Sequence, residues 1–424
     1  MAQLIMDIGE LLTLQPAMAK GGRRVLEADL GILKNHAMYI EKGQIAWIGP
    51  QKKIPKALAR PSRTRASTKA GAKPASRLKE ISCNGRTVLP GFIECHTHTV
   101  FAGHRAAEFE MRNQGVSYQE INRRGGGILS TMKNTRAASE KDLQQQSQAR
   151  VDRFVAQGVT TLEIKSGYGL DLKSEIKMLK VAKNLRGPKI VTTFLGAHAK
   201  PPEFASYTDY LDFLRTSLLP KIRRDDLARR VDIFIEKGFF EKDAAKVFLS
   251  AAKEMGFEIV IHADQLTLSG GASLGVELQA LSSDHLLQVG AEEIARLANS
   301  EVTCVLLPAA DLYMKTAYPK AREMIDAGAR VALATDFNPG SSPTQDLGLV
   351  GLLARLEMKM TLPEVIAAYT VGAAYALHRE AEVGSLEVGK CADFICTDLS
   401  WQELFYSVGH VSPRSVYRDG KSIY

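Results

Sequence analysis

Short apolar runs recur through the middle of the chain, at Val88–Cys95, Thr160–Lys165, Ile190–Leu195, Val231–Ile235, Glu258–Ile261, Ser282–Leu287, Val302–Leu307 and Arg330–Ala334. Each is of strand length, and strands buried on both faces read as continuous rather than alternating apolar segments. Between several of them lie stretches with helical spacing, such as Leu172–Leu185 and Ala244–Met255. Eight buried strands alternating with helices over about 250 residues predict a (β/α)8 barrel of the TIM type. The run at Ser282–Leu287 is the shortest on apolar character, so a seven-stranded or open sheet stays open at this point.

The two ends of the chain have a different pattern. Ala37–Ile40 and Gln44–Ile48 flank Gly43, and Ser415–Ile423 contains an Asp419-Gly420-Lys421 turn, so both ends read as antiparallel β. They are expected to pair into one small β-sandwich. The expected division is 1–87 plus 385–424 for the sandwich and 88–384 for the barrel.

Composition changes this picture little. The chain has 424 residues, 45% hydrophobic and 24% charged, as an ordinary globular protein does. No apolar run approaches the roughly 20 residues that span a bilayer, and Asp7 and Glu10 in the opening stretch argue against a signal peptide. The five cysteines are odd in number and scattered, which predicts no disulfide framework and a reducing cytoplasm. The net charge of +8 has a local source. Residues 51–80 hold ten Lys or Arg and one acid, leaving 45 basic and 46 acidic residues elsewhere. That segment predicts a mobile surface loop. It contains no aromatic side chain to stack on bases, so no nucleic-acid partner is expected, and no membrane partner.

Barrel enzymes carry their chemistry at the C-terminal ends of the strands. Five of the nine histidines fall at such positions: His96 and His98 after the first run, His198 after the third, His262 after the fifth and His285 within the sixth. Asp336 follows the eighth. Neutral imidazole and carboxylate suit Zn²⁺ or Fe²⁺. His96 and His98 are two residues apart, so an extended strand points both to one face, roughly 7 Å apart. An HxH pair alone is a weak signal; joined by a distant His and a distant Asp at strand ends it is a specific one. These residues predict a metal held by His96, His98, His262 and Asp336. Gly125–Gly127 lacks the Lys-Ser/Thr pair of a phosphate loop and reads as a rim loop.

Pro90-Gly-Phe-Ile-Glu-Cys-His-Thr-His98 resembles the first-strand signature of the amidohydrolase superfamily, whose members join a split β-sandwich to a barrel. Further stretches resemble the imidazolonepropionase family: Phe101-Ala-Gly-His-Arg105 with Glu108-Phe109, Gly125-Gly-Gly-Ile128, Lys165-Ser-Gly-Tyr-Gly-Leu170, Gly196-Ala-His198, His262-Ala-Asp-Gln265, Asp284-His285 and Thr335-Asp-Phe-Asn-Pro-Gly-Ser341. They extend over residues 88 to 390. The resemblance implies ring-opening hydrolysis of 4-imidazolone-5-propanoate to N-formimidoyl-L-glutamate, with one divalent or trivalent Zn or Fe ion per chain. It implies His285 as the group that stabilises the developing oxyanion, Asp336 as proton carrier and Gln265 at the ring. Arg105 is the candidate for the propionate, since a guanidinium binds a carboxylate bidentately. Tyr168, His198, Asn338, Gly340 and Ser341 carry over as further substrate contacts. Some amidohydrolases bridge two metals with a carboxylated lysine. Lys165, after the second run and inside the Lys-Ser-Gly-Tyr stretch, is expected not to serve so, and one metal is predicted. A homodimer is the expected assembly, on general grounds. A heterocycle deaminase or chlorohydrolase would use the same metal set; an anion-binding Arg105 with Tyr168 is what discriminates against a neutral substrate.

Overall fold

The computed structural model describes residues 2–55, 58, 78–116, 118–123, 125–408 and 412–424. Most of the basic segment 51–80, including its expected surface loop, lies outside the described residues.

Eight parallel strands form the central sheet in sequential order: Phe92–Glu94, Val159–Lys165, Lys189–Ala197, Arg230–Ile235, Glu258–Ala263, Ser282–His285, Thr303–Leu306 and Arg330–Leu333. They are called here the first to eighth barrel strands. The sheet closes above its last strand, where Thr97 bridges Phe337 in parallel and the His98 N–H donates to the Phe337 carbonyl at 2.9 Å. The eight-stranded reading therefore holds, and the short run at Ser282 is a full member paired to both neighbours. Along a strand the alternation of side chains separates two jobs. In Arg230–Ile235, Val231, Ile233 and Ile235 join the main apolar core under the helices, whereas Asp232 and Phe234 turn the other way, toward the site.

The two ends build a pair of smaller sheets. One has the order Gln44–Pro50, His36–Glu41, Gln3–Met6, Lys79–Ser82; the other runs Lys421–Ser422, Ser415–Arg418, Phe394–Thr397, Thr87–Pro90, Glu10–Leu12, Ile32–Lys34. Side chains from both, among them Ile5, Met38, Val88 and Phe394, share one buried cluster. Antiparallel pairing of Thr87–Pro90 with Phe394–Thr397 ties the front of the chain to its back.

One expected strand is corrected. The run Val88–Cys95 is two strands in two sheets, because Thr87–Pro90 belongs to the sandwich and Phe92–Glu94 to the barrel. The break falls at Gly91, where a Cβ would lie 2.3 Å from the Thr160 side chain. Only glycine lets the chain pass that close while it changes sheets.

No helix of the described residues is long and apolar enough to cross a membrane. The five cysteines are unpaired.

Candidate metal centre and substrate cavity

A cavity opens at the C-terminal end of the barrel strands, where barrel enzymes carry their chemistry. His98, Tyr168, His198, His262, His285 and Asp336 line it, with Arg105, Gln265, Asn338 and Ser341 around them. His96 sits behind this surface, fully buried. Gly340 is not part of the lining. It lies beneath Arg105, where an added Cβ would be 2.2 Å from the guanidinium carbon.

The histidines are delivered by strand ends and oriented by buried carboxylates. Nδ1 of His96 donates to Oδ2 of Asp284 at 2.6 Å, which leaves Nε2 as the lone-pair nitrogen. Oδ2 of Asp232 lies 3.0 Å from Nδ1 of His262, a close contact that is not aligned as a hydrogen bond. Nε2 of His98 is 3.3 Å, and Nε2 of His96 3.5 Å, from Oδ1 of Asp336. His98 stacks on His198 with ring centres 5.0 Å apart. His198 is itself fixed, because its Nδ1 can only donate to the Gly167 carbonyl, 3.1 Å away.

His285 reaches the cavity by a backbone device. In an extended strand it would point opposite to its neighbour Asp284, which faces His96. Its φ of 81° breaks that alternation and turns the ring into the site. Asp336 has φ 52°, also in the left-handed region. Such conformations are costly for residues other than glycine and gather at functional sites.

The donors fit a metal ion. His96, His98 and Asp336 offer ligand atoms within 4.8 Å of one another, as do His96, His262 and His285. Nε2 of His96, Nε2 of His262 and Oδ1 of Asp336 are buried with no hydrogen-bond partner among the described residues. Ligands around a tetrahedral ion at about 2.1 Å stand about 3.4 Å apart, and the two imidazole–Asp336 separations straddle that value. Burial pushes His96, His98 and His198 well below the usual imidazole range, so they are neutral, as ligand or acceptor nitrogens must be. Burial likewise lowers His285 to about 3, against the pull of Asp336. It raises Asp336 above the usual carboxylate range, and the neighbouring His285 and His262 oppose that.

Several supporting residues were absent from the sequence-based site. Asp232 and Glu163 were not singled out, and Asp284 was quoted only within a motif. Their signal is a charged residue at inward-facing parity in an apolar strand, as in Val231-Asp-Ile-Phe-Ile235. Lys165, fully buried, is paired with Asp232 at 3.0 Å and Glu163 at 3.2 Å. Burial opposes its charge, yet Asp232, Glu163 and Asp284 together raise its pKa. Glu175 accepts the N–H groups of Gly167, Gly169 and Leu170 and so fixes the loop that presents Tyr168.

Arg105 is buried, with Nη2 3.3 Å from the Tyr168 hydroxyl, and its Nε has no partner among the described residues.

A family model described as Amidohydrolase family matches residues 234–423. The imidazolonepropionase of Bdellovibrio bacteriovorus is 62% identical over 424 residues, covering 100% of this chain and 97% of that protein. That of Geobacillus kaustophilus is 42% identical, covering 98% and 96%. The chain belongs to the imidazolonepropionase family. Membership makes it a hydrolase acting on a cyclic amide, and the family together with the His/Asp group points to a bound metal. In fold it is similar to an adenosine deaminase from Xanthomonas campestris with bound zinc, at TM-score 0.71 and 18% identity, covering 99% of this chain and 92% of that one.

Proposed function

We propose that the chain hydrolyses 4-imidazolone-5-propanoate to N-formimidoyl-L-glutamate, a step of histidine degradation. The observation that carries this reading is the pairing, in one cavity, of a His/Asp centre with a buried guanidinium, Arg105, beside the Tyr168 hydroxyl. A cyclic amide with an anionic tail needs both.

In this account His96, His98, His262 and Asp336 hold one Zn or Fe ion. Such an ion supplies Lewis acidity and acidifies a bound water toward a pKa of about 7. Asp336 takes the proton of the attacking water and delivers it to the ring nitrogen as the C–N bond breaks. His285 faces the carbonyl oxygen and stabilises the charge that develops there. Gln265, a carboxamide, orients the ring by hydrogen bonding and does not act as base. Arg105 and Tyr168 bind the propionate, with His198, Asn338 and Ser341 completing the walls.

Gly340 acts through Arg105, by letting the guanidinium lie flat against the loop. Gly340→Ala is expected to raise KM about tenfold with a smaller change in kcat, because the long arginine can shift while the metal centre stays intact. Steady-state kinetics check this; a KM within twofold of the parent's would contradict it.

We take 1–90 with 385–424 as the sandwich unit and 91–384 as the catalytic unit, moving the expected boundary from 87 to the sheet change at Gly91, with a homodimer as the assembly and the cytoplasm as the setting. The five unpaired cysteines support the last. Turnover of freshly generated 4-imidazolone-5-propanoate by metal-replete protein, with His262→Ala as control, tests the proposal. Formimidoylglutamate should accumulate with the parent and not with the variant. Binding of metal without turnover would sink the substrate assignment.

A further inference from the structure

We propose that Lys165 is a positioning residue of the metal centre, whose ammonium fixes the carboxylates that aim the ligands; the inference rests on the metal site proposed above. Its contacts are arranged for that task. Oδ2 of Asp232 faces Lys165 Nζ at 3.0 Å and Nδ1 of His262 at 3.0 Å. Oδ2 of Asp284 faces Lys165 Nζ at 3.8 Å and Nδ1 of His96 at 2.6 Å. In each case one oxygen is shared between the ammonium and the imidazole. The third contact, Oε1 of Glu163 at 3.2 Å, holds a carboxylate whose Oε2 accepts the Thr97 N–H, between His96 and His98. The Lys165 N–H itself donates to the Thr97 carbonyl at 2.8 Å.

Lys165 therefore touches the supports of His96, His98 and His262. All four members of the cluster, Lys165, Glu163, Asp232 and Asp284, are at most 1% exposed, so in the folded chain their charges meet one another rather than solvent. Removing it leaves buried carboxylates without their shared partner. They are then free to rotate away from the ring N–H groups, and residues in this outer position typically contribute 10–100-fold to metal affinity. A lysine in a barrel of this class invites the reading of a metal-bridging carboxylated side chain. Three carboxylates around Nζ exclude that, since a carbamate there would add a fourth negative group to the same buried pocket.

The test compares parent, Lys165→Met and Lys165→Gln as full-length metal-free proteins. Zn²⁺ affinity is measured by competition with a chromophoric chelator, and site geometry by the visible absorption of the Co²⁺ form. Circular dichroism checks that each variant is folded, and Lys165→Gln, with its neutral donor, decides alone if the Met variant fails to fold. The expected result is one ion per parent chain, Zn²⁺ affinity weakened roughly 10–100-fold in the variants, and an altered Co²⁺ spectrum. Folded variants with the parent's affinity and spectrum would overturn the inference and leave the metal site standing. A parent chain that binds no ion would overturn the metal site itself.

Discussion

Asp336→Asn lowers kcat by about 10⁴-fold at saturating metal, the largest loss expected of a single conservative change. The carboxamide keeps the size of the side chain, and the Asp336 carbonyl that accepts from Asn338 Nδ2 at 2.7 Å is unaffected, so the loop keeps its shape. Two things are lost together. Oδ1, which stands 3.3 Å from His98 Nε2 and 3.5 Å from His96 Nε2, no longer offers the anionic ligand proposed for the metal. The only carboxylate proposed to carry the water proton to the leaving nitrogen also disappears. Weaker metal binding alone would be restored by excess metal; loss of the proton carrier would not. Kinetics across a metal titration separate the two, and a kcat within tenfold of the parent at saturation would remove Asp336 from the mechanism.

Arg105→Met is the second large effect, and it falls on recognition. Two charge-assisted hydrogen bonds to a carboxylate contribute roughly 3–5 kcal/mol in a buried site. A loss of about 10²–10³-fold in kcat/KM is therefore expected, carried mainly by KM. The variant should discriminate less between the propionate substrate and its neutral methyl ester, because the ester never uses the guanidinium. Equal losses on both would mean that Arg105 acts structurally, through Tyr168. The same comparison bears on the rival reading, a hydrolase of neutral heterocycles, which predicts no preference for the anion in the parent.

The barrel was legible because strands buried on both faces are written as apolar runs, and each predicted run meets a barrel strand. What could not be read was the change of sheet inside Val88–Cys95. The run is apolar throughout because both of its strands are buried, and only the contact between Gly91 and Thr160, distant in sequence, marks the break. The metal-ligand candidates were legible for a local reason: they sit at strand ends with unusual residue types. Their supports were not, since Asp284 matters to His96 across 188 residues of chain and Lys165 joins three strands. Gly340 shows a third limit. Family resemblance drew attention to the position, but its place under Arg105 depends on a side chain delivered from the other end of the barrel sequence. His285 needed the backbone too, because the alternation of a regular strand would have turned it away from the cavity.

The most direct test of ring opening at the carbonyl is a single turnover of 4-imidazolone-5-propanoate in ¹⁸O-labelled water, read by mass spectrometry of the product. Attack at the ring carbonyl predicts formimidoylglutamate with one ¹⁸O in the newly formed carboxylate and none in the formimidoyl group. Label on the one-carbon fragment, with an amide left in the glutamate skeleton, would mean that the other ring carbon is attacked and would contradict the assignment of the bond that breaks.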